Sequence, residues 1–270
     1  MKQVTQLITG MQATDGAGVR LNRILGQLAL KHLDPFLLLD EFKSDNPSEY
    51  IGGFPSHPHR GFETVTYMLQ GEFQHKDNQG NEGHLKGGDI QWMTAGQGIV
   101  HEEMPMQTEG LVWGFQLWVN LPSGQKMIAP KYQDIQSSRI PEMALDAGMV
   151  RVLAGSYRGV EGPVDDMAIE PDYLDIRLDH DGIFEHKIAV GKTAFIYVYR
   201  GAVSLGNTEI KTGQMAVLDT KIEHLEVIAT ENDTRLIHLN AWPIGEPMVQ
   251  HGPFVMGAVA EKHQAIQGFN

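Results

Sequence analysis

Two short stretches of this chain hold residue types that could bind a metal ion. One is Phe54-Pro55-Ser56-His57-Pro58-His59 and the other is Gly98-Ile99-Val100-His101-Glu102-Glu103. Each places two ligand-type side chains at i and i+2, His57 with His59 and His101 with Glu103. Alternate residues of a β-strand point to the same face, so each pair can present two donor atoms on one side. Pro58 favours this, because a residue that precedes proline is driven toward extended backbone. Three imidazoles and a carboxylate on one point would hold a divalent ion and, at six-coordination, leave two positions open. Glu63, four residues beyond His59, is a further carboxylate within reach of such a centre.

For strands to deliver these pairs, the intervening chain must double back. Glu63-Thr64-Val65-Thr66-Tyr67-Met68-Leu69-Gln70 is rich in β-branched and aromatic residues and is closed by Gly71. Turns at Asp77-Asn78-Gln79-Gly80 and at Gly87-Gly88-Asp89 follow, then the strand-like Ile90-Gln91-Trp92-Met93-Thr94. Residues 111–121 alternate well, with Leu111, Trp113, Phe115, Leu117 and Val119 on one face. Short strands punctuated by turns predict an all-β sandwich or barrel. Residues 122–141, with Pro122, Pro130 and Pro141, read as a connection. Beyond it, Tyr197-Val198-Tyr199-Arg200-Gly201-Ala202-Val203 echoes Tyr67-Met68-Leu69-Gln70-Gly71-Glu72-Phe73. Lys211-Thr212-Gly213-Gln214-Met215-Ala216-Val217-Leu218 likewise echoes 86–93. Two echoes in the same order predict a duplicated barrel, 1–133 and 134–270. The second copy has only Phe184-Glu185-His186-Lys187 where His-Pro-His would fall, so it should lack the ligands. A helix is expected only near 259–267.

Composition narrows the chemistry. The chain has 270 residues and no cysteine, which leaves imidazole and carboxylate as ligands and excludes iron–sulfur and thiolate zinc sites. A net charge of −13 without a Lys/Arg cluster argues against a nucleic-acid surface and against anionic lipid. No apolar run is long enough for a membrane-spanning helix, so a soluble, cytoplasmic protein is expected. His32, His75, His84, His180, His224, His238, His251 and His263 have no partner at ligand spacing and read as surface or core residues.

The run His57-Pro58-His59-Arg60-Gly61-Phe62-Glu63-Thr64-Val65, with Gly88-Asp89-Ile90-Gln91-Trp92-Met93-Thr94-Ala95-Gly96 and His101-Glu102-Glu103-Met104-Pro105, resembles the pirin family of the cupin superfamily. Leu117-Trp118-Val119-Asn120-Leu121-Pro122 and Gln250-His251-Gly252-Pro253-Phe254-Val255-Met256 extend the resemblance into both halves. It implies two tandem cupin barrels, the first holding one metal ion, usually iron, through His57, His59, His101 and Glu103. Zn, Cu and Ni suit the same donors. On that reading Glu63 supports a ligating imidazole. The resemblance also implies a quercetin 2,3-dioxygenase-like activity, with a flavonol and O₂ as substrates and Glu103 as general base. Phe54, Trp113 and Phe115 would then wall the pocket. The alternative it implies is a non-enzymatic, redox-dependent co-regulator that binds a protein partner. A zinc-dependent cupin acting on a sugar ranks last, since no basic cluster lies near the motifs.

Overall fold

The computed structural model describes residues 1–261 and 267, and it is built almost wholly of antiparallel strands. Residues 259–261 and 267 are helical; the rest of the helix expected over 259–267, and His263, lie outside the described residues. No helix among the described residues is long and apolar enough to cross a membrane.

The chain forms two compact units, and a single cut does not separate them. One comprises Gln12–Gly26, Asp34–Ser137 and Ile244–Asn270; the other comprises Met1–Met11, Gln27–Leu33 and Ser138–Pro243. This differs from the linear division 1–133 and 134–270. The reason lies in the edge strands: Val4–Thr9 pairs with Gln214–Leu218, far along the chain, and so joins the later unit's sheet. The last segment, from Ile244 onward, belongs to the earlier unit.

Each unit has a seven-stranded and a four-stranded sheet, the two-sheet barrel of a cupin. In the first, the order is Lys131–Ile135, Ile90–Thr94, Phe62–Gln70, Val112–Asn120, Phe36–Ser44, Val19–Leu25, Met11–Asp15. Its smaller sheet runs Phe54–His59, Ile99–Pro105, Glu72–Asp77, Glu82–Lys86. The other unit repeats this sheet order except at one edge, where Val4–Thr9 from the start of the chain stands in the place of Lys131–Ile135; Ile183–Lys187 and His224–Ala229 take the places of Phe54–His59 and Ile99–Pro105. The duplication read from the two echoes therefore extends to the topology of both sheets apart from that edge strand.

The inward positions differ in kind. In Ile99–Pro105 the buried residues are Ile99, His101 and Glu103, whereas in His224–Ala229 they are Leu225, Val227 and Ala229. The latter pack with Phe184, Leu174 and Val203 in a continuous apolar core. Beside that core, Asp172 meets His186 at 3.3 Å and accepts from the Ser156 amide at 2.9 Å. Burial alone would raise the Asp172 carboxyl, but His186, Ser156, Lys192 and Asn240 together bring it down to about 2. The folded value lies below the unfolded one, so the stabilisation is complete above pH ~4 and lost as pH falls toward ~2. Its size is about 2 kcal/mol. Urea titrations at pH 5 and pH 2.5 should show Asp172→Asn losing about that much at the higher pH and only about a third of it at the lower.

Candidate metal centre

Pairing of Phe54–His59 with Ile99–Pro105 creates the site. His57 lies directly across from His101, and His59 across from Ile99. The register slips between His101 and Glu103, so that Glu103 faces Phe54 with an extra residue on the opposing strand. Such a bulge re-aims side chains locally. The turn after His59 is held by Lys126, whose buried ammonium donates to the carbonyls of Gly61 (2.8 Å) and Val255 (3.0 Å) and to Asn120 Oδ1 (2.7 Å). Gly61 has φ +84°, and a Cβ there would fall 2.0 Å from the Val255 carbonyl, so only glycine fits.

His57, His59 and His101 converge. The Nε2 atoms of His57 and His59 are 3.0 Å apart, as are those of His101 and His57. One ligand atom from each ring lies within 4.8 Å of the others. Metal–nitrogen bonds of about 2.1 Å place ligand atoms about 3.0 Å apart at a right angle and about 3.4 Å apart at a tetrahedral one. The observed spacing therefore fits neighbouring positions on an octahedral ion. His57 Nδ1 donates to the Pro55 carbonyl at 2.8 Å, which leaves Nε2 of the neutral ring as a lone pair aimed at its two neighbours. Burial, then the adjacent imidazoles, pushes His59 and His101 well below the usual histidine range. The rings are thus held neutral, the form in which imidazole binds a metal.

Glu103 is buried on the wall of the same cavity, but its carboxylate lies outside the set of mutually close donor atoms formed by the three rings. Burial raises its pKa, with His57 and Thr66 acting in the opposite direction. Thr66 Oγ1 is 2.8 Å from Glu103 Oε1 and 2.7 Å from the Gln116 amide. A hydroxyl has one proton. Both facing atoms, Glu103 Oε1 and Gln116 Oε1, are acceptors, so the Thr66 proton serves one of them at a time.

Glu63 is fully buried and accepts from Thr94 Oγ1 at 2.7 Å. It does not receive the His59 Nδ1–H, which is buried without a hydrogen-bond partner among the described residues. His75, which has no ligand spacing, stands 3.4 Å from His101 Nδ1 through its own Nδ1. Burial takes its pKa down to about 4, against Asp77 and together with His57. Its position across from Glu103 in the register between Ile99–Pro105 and Glu72–Asp77 could be found only by pairing the strands.

His57 and His59 open on a cavity of about 450 Å³, with apolar walls from Leu21, Leu38, Phe42, Phe54 and Trp118. Phe54 is on that wall, whereas Trp113 and Phe115 are not. They lie on the opposite face of Val112–Asn120: Trp113 donates to Glu41 at 2.7 Å under Lys43, and Phe115 stacks with Tyr67. The strand's other face supplies Gln116 and Trp118, and Trp118 meets His59 edge to face at 5.3 Å. Asp40, also on the wall, is clamped by Arg23 through contacts of 3.0 and 2.7 Å; burial still raises its carboxyl to about 6.

The family model for Pirin matches residues 18–119, and that for the Pirin C-terminal cupin domain matches 173–270. The chain belongs to the pirin family. A pirin-like protein of Caulobacter vibrioides is 44% identical over 273 residues, covering 100% of this chain and 98% of the relative. Human pirin is 41% identical over 285 residues, covering 99% and 92%. Among solved structures, a quercetin 2,3-dioxygenase from Acinetobacter baumannii superposes with a TM-score of 0.93 at 36% identity, over 100% of this chain and 97% of that one. The pirin assignment thus covers both barrels.

Proposed function

We propose that this chain is a mononuclear non-haem metalloprotein that opens the heterocycle of a flavonol such as quercetin with O₂. The observation that carries the reading is the convergence of three imidazoles, with His57 Nε2 3.0 Å from the Nε2 atoms of both His59 and His101, beside an apolar cavity lined by His57 and His59 and large enough for a flat ring system. The similarity to a quercetin 2,3-dioxygenase supports it. His57, His59 and His101 would hold the ion, most naturally Fe(II), with Glu103 as the fourth ligand. Zn, Cu and Ni suit the same donors. When bound, the ion supplies Lewis acidity toward the flavonol oxygens and a redox partner for O₂.

The rest falls to the protein. Phe54, Leu38 and Trp118 sandwich the planar substrate and exclude water. Glu103 takes the proton of the flavonol 3-hydroxyl on its carboxylate, within hydrogen-bond reach of the substrate. Thr66, when it donates to Glu103, keeps that carboxylate oriented. Apolar walls also favour the neutral flavonol on entry, so that its charge develops only beside the histidines.

Elemental analysis of the purified protein, followed by oxygen uptake with quercetin, tests the reading. One O₂ should be consumed and one CO released per flavonol opened. Metal-loaded protein that leaves quercetin intact under air, or that gives the same product without O₂, would sink the catalytic assignment.

A further inference from the structure

A neutral imidazole that binds a metal through Nε2 carries its proton on Nδ1, and in a buried site that N–H requires an acceptor. His57 has one, the Pro55 carbonyl at 2.8 Å. For His101 the facing atom is His75 Nδ1, at 3.4 Å. Two bare ring nitrogens would repel at that separation, and so would two N–H groups; one proton must lie between them. If His101 presents its Nε2 lone pair to a metal, the proton is on His101 Nδ1 and His75 is the acceptor. His75 must then carry its own proton on Nε2, an atom that is buried without a hydrogen-bond partner among the described residues.

The surroundings fix the His75 ring. It is 1% exposed and lies opposite Glu103 in the four-stranded sheet. The Tyr132 ring, from the other sheet, packs on it edge to face at 4.6 Å and 67°, and the Tyr132 hydroxyl sits 3.3 Å from the same Nδ1. The His75 and His101 rings are 4.8 Å apart and tilted by 44°. An imidazole so enclosed cannot turn away from His101.

We propose that His75 is a positioning residue for the metal centre: its Nδ1 accepts the His101 Nδ1–H and thereby sets His101 with Nε2 as a lone pair toward His57 and His59, while Tyr132 holds the His75 ring in place. This rests on the reading of the three histidines as metal ligands. Before metal binds, the same pair is satisfied in the reverse sense. His75 Nδ1–H then donates to His101, and His101 Nε2–H to His57 Nε2 at 3.0 Å. Metal uptake therefore moves both tautomers together, with no net proton gained or lost by the pair.

The test uses the full chain, metal-stripped and reloaded with zinc, which is diamagnetic. Nitrogen-15 spectra of histidine-labelled wild type should place the proton of His101 on Nδ1 and that of His75 on Nε2. Competition against a chelating dye should show zinc affinity falling about 10- to 100-fold in His75→Leu, and recovering to within a few-fold in His75→Gln, whose amide oxygen can accept. A His75 proton on Nδ1 in zinc-loaded wild type overturns the proposal, as does His75→Leu binding zinc as tightly as wild type. His75→Gln as weak as His75→Leu also overturns it, since that would make the role one of ring packing. Should His75→Leu fail to fold by circular dichroism, the wild-type tautomers decide. Folded wild type that takes up no zinc refutes the metal-centre reading itself, and His75's role with it.

Discussion

His57→Ala, His59→Ala and His101→Ala proteins should each purify with their metal content largely lost and with flavonol cleavage down by at least about 10³-fold, or about 4 kcal/mol in the barrier. Even the partners that orient a ligating histidine are worth 10- to 100-fold in affinity, so removal of a ligand costs more than about 100-fold. The loss of a charge-stabilising centre next to the reacting oxygen adds to it. The three substitutions should not be equal in stability. His59 and His101 are almost fully buried, while His57 is partly exposed, so truncation of the first two leaves a void and His57→Ala does not. Plasma mass spectrometry, oxygen uptake and a thermal melt on the same preparations separate the two effects. Wild-type metal content in any of the three would remove that ring from the ligand set.

Glu103→Gln should behave differently. Glutamine has the same shape and can still meet Thr66, but it cannot take a proton. With three imidazoles in place the metal should be substantially retained, while kcat falls by about 10²- to 10⁴-fold, the usual worth of a positioned general base. The pH profile carries the distinctive sign. Wild type needs Glu103 ionised, so activity should fall on an acid limb as Glu103 takes up a proton; burial raises that pKa and a bound cation opposes the rise. Glu103→Gln should lack that limb and gain activity as pH rises, because a flavonol already ionised in solution needs no base. An unchanged limb in the variant would assign proton removal to another group. Metal loss as deep as in the histidine variants would make Glu103 chiefly a ligand.

Much of this centre could be read before any coordinates. Histidine and glutamate at i, i+2 spacing in β-forming sequence, with no cysteine in the chain, predict a nitrogen–oxygen site on strand faces, and the structure brings its three imidazoles together. The paired echoes at 67–73 and 197–203 and at 86–93 and 211–218 dictate duplication, and the loss of His-Pro-His near Phe184 dictates that the copies differ. These are local properties, written in residue type and period.

Tertiary structure decided what depends on contacts between distant segments. The period of Val112–Asn120 shows two faces, yet the strand is largely buried on both, so alternation alone could not tell that Gln116 and Trp118, rather than Trp113 and Phe115, line the cavity. Glu63, close to His59 in sequence, hydrogen-bonds Thr94 instead of the His59 Nδ1–H, because strand pairing sets which side chains meet. His75 has no neighbouring ligand in the chain and acquires its place only when Glu72–Asp77 pairs with Ile99–Pro105. The exchange of end segments between units follows from edge pairing across more than two hundred residues, such as Val4 with Leu218. Residue chemistry sets what a site can bind; the long-range register of the sheets sets which residues are there to bind it.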